Sequence, residues 1–279
     1  MNEAPLFADV AEGPEGGAAW WIAAGDGVRL RIGLWNRGGR KGSFLICPGR
    51  TEYIEKYGRV AVSLEQHGFA SLVIDWRGQG LADRLLDDTM SGHVHHFPDY
   101  QRDMAAMMDT AERLDLPRPW HLLAHSMGGC IGLRAVMQGL DVQSCVFSSP
   151  MWGIRLAEAL RPVAWWLSWG SHQVGLSHRY APGTTADHYV LTEPFATNKL
   201  TNDPDTWAYM GRQIRAHPEL GLGGPSLRWL YEALRETRDL SHRPSPDLPC
   251  LTILGSDETI VDVARVQDRM ARWPRGHLE

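Results

Sequence analysis

Five short apolar runs constrain this chain more than any other feature. They are "SFLICPG", "FASLVIDW", "WHLLAHS", "VQSCVFSSP" and "PCLTILG". Each is too short for a core helix, and each is bounded by Gly, Pro, Asp or Ser. Such runs fit strands buried on both faces of a sheet. Segments with helical spacing lie among them. "EKYGRVAVSLEQHG" stops at Gly68, and "PDYQRDMAAMMDTAERLDL" starts at Pro98 and Asp99. "MGGCIGLRAVMQGL" and "VDVARVQDRMARW" repeat the pattern. Strands alternating with helices predict an α/β fold with a mostly parallel sheet and helices on both faces. Ahead of them, "AAWWIAAGDGVRLRIGLWN" places two apolar runs around Gly25, Asp26 and Gly27, a hairpin signal.

The alternation breaks between about Pro150 and Asp247, where the chain is rich in Trp, Pro and Gly. That stretch predicts a helical cap inserted over the carboxyl edge of the sheet, where open α/β sheets bind ligands. The expected organisation is a loose acidic leader (1–17), a core (18–149), the cap (150–247) and the rest of the core (248–279). The 279 residues, 43% of them hydrophobic, suffice for one large domain with an insertion. A formal charge of -5 and a pI near 6.2 exclude a nucleic-acid footprint, which needs clustered Lys and Arg. The leader lacks the basic start and apolar core of a secretory signal. No run approaches the roughly 18 apolar residues that span a bilayer. Cys47, Cys130, Cys145 and Cys250 sit in apolar runs without a CxxC pair, as buried thiols of a cytoplasmic protein would.

The chemistry centres on "LLAHSMGGC". A buried strand that ends on Ser126, with Ala124, Gly128 and Gly129 around it, predicts a nucleophile on a sharp strand-to-helix turn. The plainer alternative is a serine that caps a helix. The usual pattern is G-x-S-x-G, and Ala124 replaces its first glycine. Acyl transfer needs two backbone N–H donors for the oxyanion. By position these are Met127, after the serine, and Arg50, in the loop after "SFLICPG". The Arg50 side chain is expected to pair with a carboxylate such as Glu52, or to reach a substrate phosphate. The acid should lie in "LTILGSDETIVD". Spacing from Gly255 to Val261 favours Glu258 over Asp257, and Asp262 reads as a helix cap.

With "LICPGRTEYIEKYG", "IDWRGQGLADRLL", "SGHVHHFPDYQRDM", "NKLTNDPDTWAYM" and "HPELGLGGPSLRWL" added, the chain resembles the bacterial lysophospholipase branch of the α/β-hydrolase superfamily, near the monoacylglycerol lipases. The resemblance implies a capped hydrolase sheet and hydrolysis of a single-chain acyl glycerol ester, with no metal or organic cofactor. It implies Ser126 as nucleophile, Glu258 as acid, and Arg50 and Met127 as oxyanion donors. Its histidine base would follow the last strand. Here "HLE" only begins that strand, and His277 stands where the family has no catalytic residue. The resemblance therefore implies that the last strand, the base loop and the final helix are missing, and that the chain as given is poorly active.

The other histidines offer little. His125 adjoins Ser126, but neighbours on a strand face opposite ways. His93, His95 and His96 superficially suggest a metal cluster, yet no matching ligand set follows. His172, His178 and His188 fall in the cap without a motif. Trp165, Trp166 and Trp169 are expected either in the cap's own core or on an acyl-chain wall or lipid-touching surface. That surface would give a cytoplasmic enzyme a peripheral contact with the inner membrane. The rival readings are a broad carboxylesterase or thioesterase, and a non-catalytic binding protein.

Overall fold

The structure, a computed structural model, describes residues 1–155 and 160–279; of residues 160–164 it describes the backbone alone. Among the described residues nine strands form: β1 (Asn2–Ala4), β2 (Ala18–Ala23), β3 (Arg29–Trp35), β4 (Ser43–Cys47), β5 (Ala70–Asp75), β6 (Trp120–His125), β7 (Ser144–Ser148), β8 (Cys250–Ile253) and β9 (Gly276–Leu278). They form one sheet in the order β1-β2-β3-β5-β4-β6-β7-β8-β9. The first three pairings are antiparallel, and every pairing from β5 to β9 is parallel. The helices are α1 (Ala8–Ala11), α2 (Gly58–Gln66), α3 (Tyr100–Arg113), α4 (Ser126–Met137), α5 (Leu160–Gln173), α6 (Tyr189–Thr192), α7 (Pro204–Ala216), α8 (Leu227–Ser241) and α9 (Val263–Ala271).

The double apolar faces of the central runs explain the layering. Leu45 and Cys47 of β4, with Leu72 and Ile74 of β5, enter the larger core cluster. Ile46 and Val73 enter a second cluster with Ile54 and Ala61. Alternate residues of one strand thus pack against helices on opposite sides. All four cysteines are free and buried.

Strand order decides where a site can form. From β4 the chain steps to β5 on one side, then crosses to β6 on the other. The connections diverge at the carboxyl ends of β4 and β6, which opens a crevice there. Pro48 to Arg50 and Ser126 are the residues that follow those two ends.

Two expectations need correction. The first 17 residues are not a loose leader. β1 pairs with β2, Ala11 is buried, and Phe7 stacks on His217 at 3.7 Å between ring centroids. A few apolar anchors in an acidic segment dock it. The last strand, expected to be missing, is present as the three-residue β9, parallel to β8. Between β7 and β8 the described chain carries α5 to α8 and no strand longer than an isolated bridge.

Candidate active site

Ser126 begins α4 directly after β6, with φ +48°. A non-glycine residue in the left-handed region costs about 1–3 kcal/mol and persists only where its surroundings impose it. Close packing imposes it here. A Cβ on Gly128 would lie 2.1 Å from the Cys47 carbonyl oxygen and 2.5 Å from that of Pro48. A Cβ on Gly129 would lie 2.6 Å from the Pro150 Cβ. Ala124 fits at the first glycine position: a Cβ on Gly132 would meet the Ala124 Cβ at 3.2 Å, so a methyl is tolerated where only one of the pair carries it.

The same closeness brings the end of β4 onto the start of α4. The amides of Arg50 and Met127 lie on these two facing segments, and neither has a hydrogen-bond acceptor among the described residues. The half-buried Ser126 hydroxyl has no hydrogen-bond partner among them either. A strained serine beside two free amides, at a helix N-terminus, can present an oxygen nucleophile and receive developing negative charge.

The turn that carries Arg50 is fixed by Glu52, a residue that sequence reasoning treated only as a partner for Arg50. Glu52 accepts from the Gly49 amide and from the Tyr57 hydroxyl, and it pairs with Lys56. His125 Nε2 stands 3.5 Å from its Oε1. Burial alone would raise the Glu52 carboxyl, but the charges of Lys56 and His125 and the bonds from Lys56 and Tyr57 hold it down at about 2. Gln79 Nε2 braces the turn by donating to the carbonyls of Gly49 and Glu52, at 2.8 and 3.0 Å. The spacing of Glu52 and Lys56, four residues apart, was the available signal for this pair. The expected Arg50–Glu52 ion pair does not form. Arg50 instead donates to the Gly223 carbonyl at 2.8 Å and lies 5.7 Å from the centroid of the Trp229 ring.

Glu258 follows β8, two strands from Ser126, about 10 Å at ordinary strand spacing. Its Oε1 accepts from the amides of Ile260 and Val261 at 2.6 and 3.0 Å. Asp257 is exposed and accepts from Asn202 Nδ2 at 3.2 Å. Asp262 caps α9, accepting from the Arg265 amide.

All twelve histidines lie among the described residues, and none is hydrogen-bonded to Ser126. His125 turns away, its Nδ1 at 3.0 Å from the Ser148 carbonyl. His277 sits on β9, three strands from β6 or about 14 Å, in register with Leu251. His93 contacts Ser226 Oγ at 2.9 Å and His95 at 3.4 Å. His96 lies 3.9 Å from Glu232, while His172 and His178 are exposed. His188 is buried near Arg50.

The tryptophans divide. Trp165 packs edge-on against Tyr231 of α8, 5.3 Å between ring centroids. Trp166 and Trp169 are 64% and 40% exposed and touch each other. The side chains of 162–164, part of the same apolar segment, lie outside the described residues. A groove of about 740 Å³ is bordered by Arg134, Trp165 and Glu236. Ser126 does not line it, and the Arg134–Glu236 pair spans part of its wall.

The family model described as "Serine aminopeptidase, S33" matches residues 38–279. Lysophospholipase L2 of Escherichia coli strain K12 is 33% identical over 240 residues, 84% of this chain and 68% of that protein. A probable lysophospholipase L2 of Haemophilus influenzae is 29% identical over 237 residues, 84% of this chain and 74% of that one. Among solved structures, a soluble variant of the monoglyceride lipase of Saccharomyces cerevisiae superposes with a TM-score of 0.69 at 18% identity. The match covers 92% of this chain and 84% of the lipase. The chain belongs to the serine aminopeptidase S33 family, within the α/β hydrolases.

Proposed function

We propose that this protein is a serine ester hydrolase that cleaves single-chain acyl lipids through an acyl-enzyme on Ser126. The observation that carries the proposal is the strained Ser126 beside the unpaired amides of Arg50 and Met127. The Ser126 oxygen attacks the ester carbonyl, and its proton passes to an imidazole base. The carbonyl electrons move onto oxygen, which the two amides hold. The tetrahedral adduct collapses, the C–O bond breaks, and the alcohol leaves with the proton. Water then repeats the sequence and frees the fatty acid. Glu258, anchored by two amides through Oε1, keeps Oε2 to orient the imidazole. The twelve histidines supply no such imidazole in this arrangement, so the base is the triad member without a candidate residue.

The relatives named as lysophospholipases support the lipid substrate. An aminopeptidase reading, taken from the family's description, needs a free carboxylate for the substrate ammonium. Glu52, 3.5 Å from His125, is already paired with Lys56, and Arg50 adds a second cation. A broad carboxylesterase or thioesterase remains the rival. The protein is expected to favour a long-chain monoacyl ester over p-nitrophenyl acetate by about tenfold or more in kcat/KM, since each buried CH₂ contributes roughly 0.8 kcal/mol. Equal rates on the two would sink the lipid assignment.

We also propose that α5 touches the lipid surface. Trp166, Leu167, Trp169, Val174 and Leu176 are exposed on or just after it, and Trp favours the water–lipid boundary. Among the described residues no helix is long and apolar enough to cross a membrane, so the contact would be peripheral. Co-sedimentation with phosphatidylethanolamine–phosphatidylglycerol vesicles should fall at least about threefold in a Trp166→Ser, Trp169→Ser double variant. Unchanged binding would remove α5 from the contact.

A further inference from the structure

Beside the oxyanion turn lies a small cavity of about 60 Å³, bordered by Arg50, Glu52, Lys56, His125, His188 and Met210. Its volume is enough for a few waters or one compact polar group and too small for an acyl chain. Arg50 carries both an unpaired amide at the serine turn and one wall of this cavity, so a group bound here belongs to the polar end of a substrate whose ester lies at the serine.

The charges around it do not cancel. Glu52 and Lys56 neutralise each other, and the Glu52 oxygens are fully engaged by Lys56, Tyr57, His125 and the Gly49 amide. Arg50 is left over. No carboxylate lies within ion-pair distance of its guanidinium among the described residues, and a neutral carbonyl, that of Gly223, takes one of its N–H groups. Burial lowers the Arg50 pKa to about 10, so the group is still a cation at neutral pH. Arg50 is half-buried, with the Trp229 ring 5.7 Å away, and a cation partly drawn out of water without a counter-charge is destabilised until something supplies one.

His188 adds a second unmet need. It is 7% exposed, and its Nδ1 accepts from the Val190 amide at 3.3 Å. Burial, then the charges of Arg50 and Lys56, push its pKa down to about 4, so the ring is neutral. A neutral ring that accepts at Nδ1 carries its proton on Nε2. That buried Nε2 has no hydrogen-bond partner. Both residues border the cavity: Arg50 lacks a counter-charge, and the Nε2 of His188, buried beneath the wall, lacks an acceptor.

We infer that this cavity is an oxyanion-recognition subsite for the phosphate of a lysophospholipid head group, with Arg50 as its principal ligand and His188 as a supporting donor. The inference rests on the reading of the protein as a lipid ester hydrolase, and it selects phosphorylated over neutral monoacyl lipids. A phosphate brings the negative charge that Arg50 lacks and several acceptor oxygens, and guanidinium suits it by shape and charge. A neutral glycerol head group brings no charge.

The test is equilibrium binding to folded Ser126→Ala protein, which no missing base affects. Three probes are compared: 1-oleoyl lysophosphatidylethanolamine, 1-oleoylglycerol and inorganic phosphate. The expected lysophospholipid-to-monoacylglycerol affinity ratio exceeds about tenfold. Arg50→Met, which keeps the backbone amide, should collapse that ratio, and Arg50→Lys should restore part of it. His188→Leu should lower it a few-fold. A ratio near one, or one that Arg50→Met leaves in place, overturns the subsite while the lipid reading stands. If neither lipid binds but inorganic phosphate binds in an Arg50-dependent way, the lipid reading fails and the anion site survives as a site for free phosphate. If none of the three binds, both fail. Thermal melts of each variant guard against misfolding.

Discussion

A fluorophosphonate is expected to react with the 279-residue chain only at Ser126, and slowly; in Ser126→Ala it should not react at all. The slowness follows from geometry. All twelve histidines are described, and none stands as a hydrogen-bond partner of the serine. A serine without its base loses up to about 10⁶ in rate, and the surviving part comes from the oxyanion site and binding. Here that surviving part would rest on the Arg50 and Met127 amides. In protein that turns over ester, Ser126→Ala is expected to cost at least about 10⁴-fold in kcat. Intact mass spectrometry after timed exposure reads both results. Labelling within seconds at micromolar probe would mean that one of the twelve histidines moves onto Ser126. His125 is the nearest by sequence, and its ring would have to leave Glu52 and the Ser148 carbonyl. Labelling that persists in Ser126→Ala would place the nucleophile elsewhere and end the proposal.

The turn at Ser126 was legible because backbone needs leave residue types behind. Two glycines after a serine, at the end of an apolar run, have few uses other than a tight strand-to-helix turn. The positive φ of Ser126 and the contacts of Gly128 and Gly129 are that turn's geometry. The parallel sheet was legible because β4 and β5 are apolar on both faces, which a half-exposed strand is not. What the sequence hid depends on distance. Arg50 and Glu52 are neighbours in sequence, and opposite charges two apart invite pairing. The turn points them apart, so that Glu52 reaches back to Gly49 and across to Tyr57, and Arg50 reaches 173 residues onward to Gly223. The first 17 residues misled because their composition is that of a loop. Docking needed only Phe7, Ala11 and a three-residue strand, too few to outweigh the surrounding Glu, Gly and Pro in any compositional reading. Trp166 and Trp169 were legible only in part: tryptophans three residues apart share a helix face, but composition does not say whether that face meets a core or the solvent.

Gly128→Ala is the smallest substitution expected to damage the whole site. The added methyl would lie 2.1 Å from one backbone carbonyl oxygen and 2.5 Å from the next. Neither obstacle is a flexible side-chain end that could swing aside. Cys47 and Pro48 close β4, which is held between β5 and β6 by parallel pairing on both sides. So α4 must move away from β4, and it takes Ser126 and the Met127 amide with it. Overpacking of this kind costs about 1–3 kcal/mol or more, and the absence of a soft neighbour places the expected loss near 3 kcal/mol. That is a fall in Tm of roughly 6–12 °C for a chain of this size. The same movement separates the Met127 amide from the Arg50 amide, so residual labelling of Ser126 should fall even in the fraction that stays folded. Gly170→Ala is the control. It lies within α5, nothing is within 4 Å of its added methyl, and its φ is ordinary. It should be neutral or raise stability by up to about 1 kcal/mol through helix propensity. If Gly128→Ala melts with the wild type, α4 does not press on β4 as described. The strain at Ser126 would then need another cause, and the pairing of the two amides would lose its structural basis.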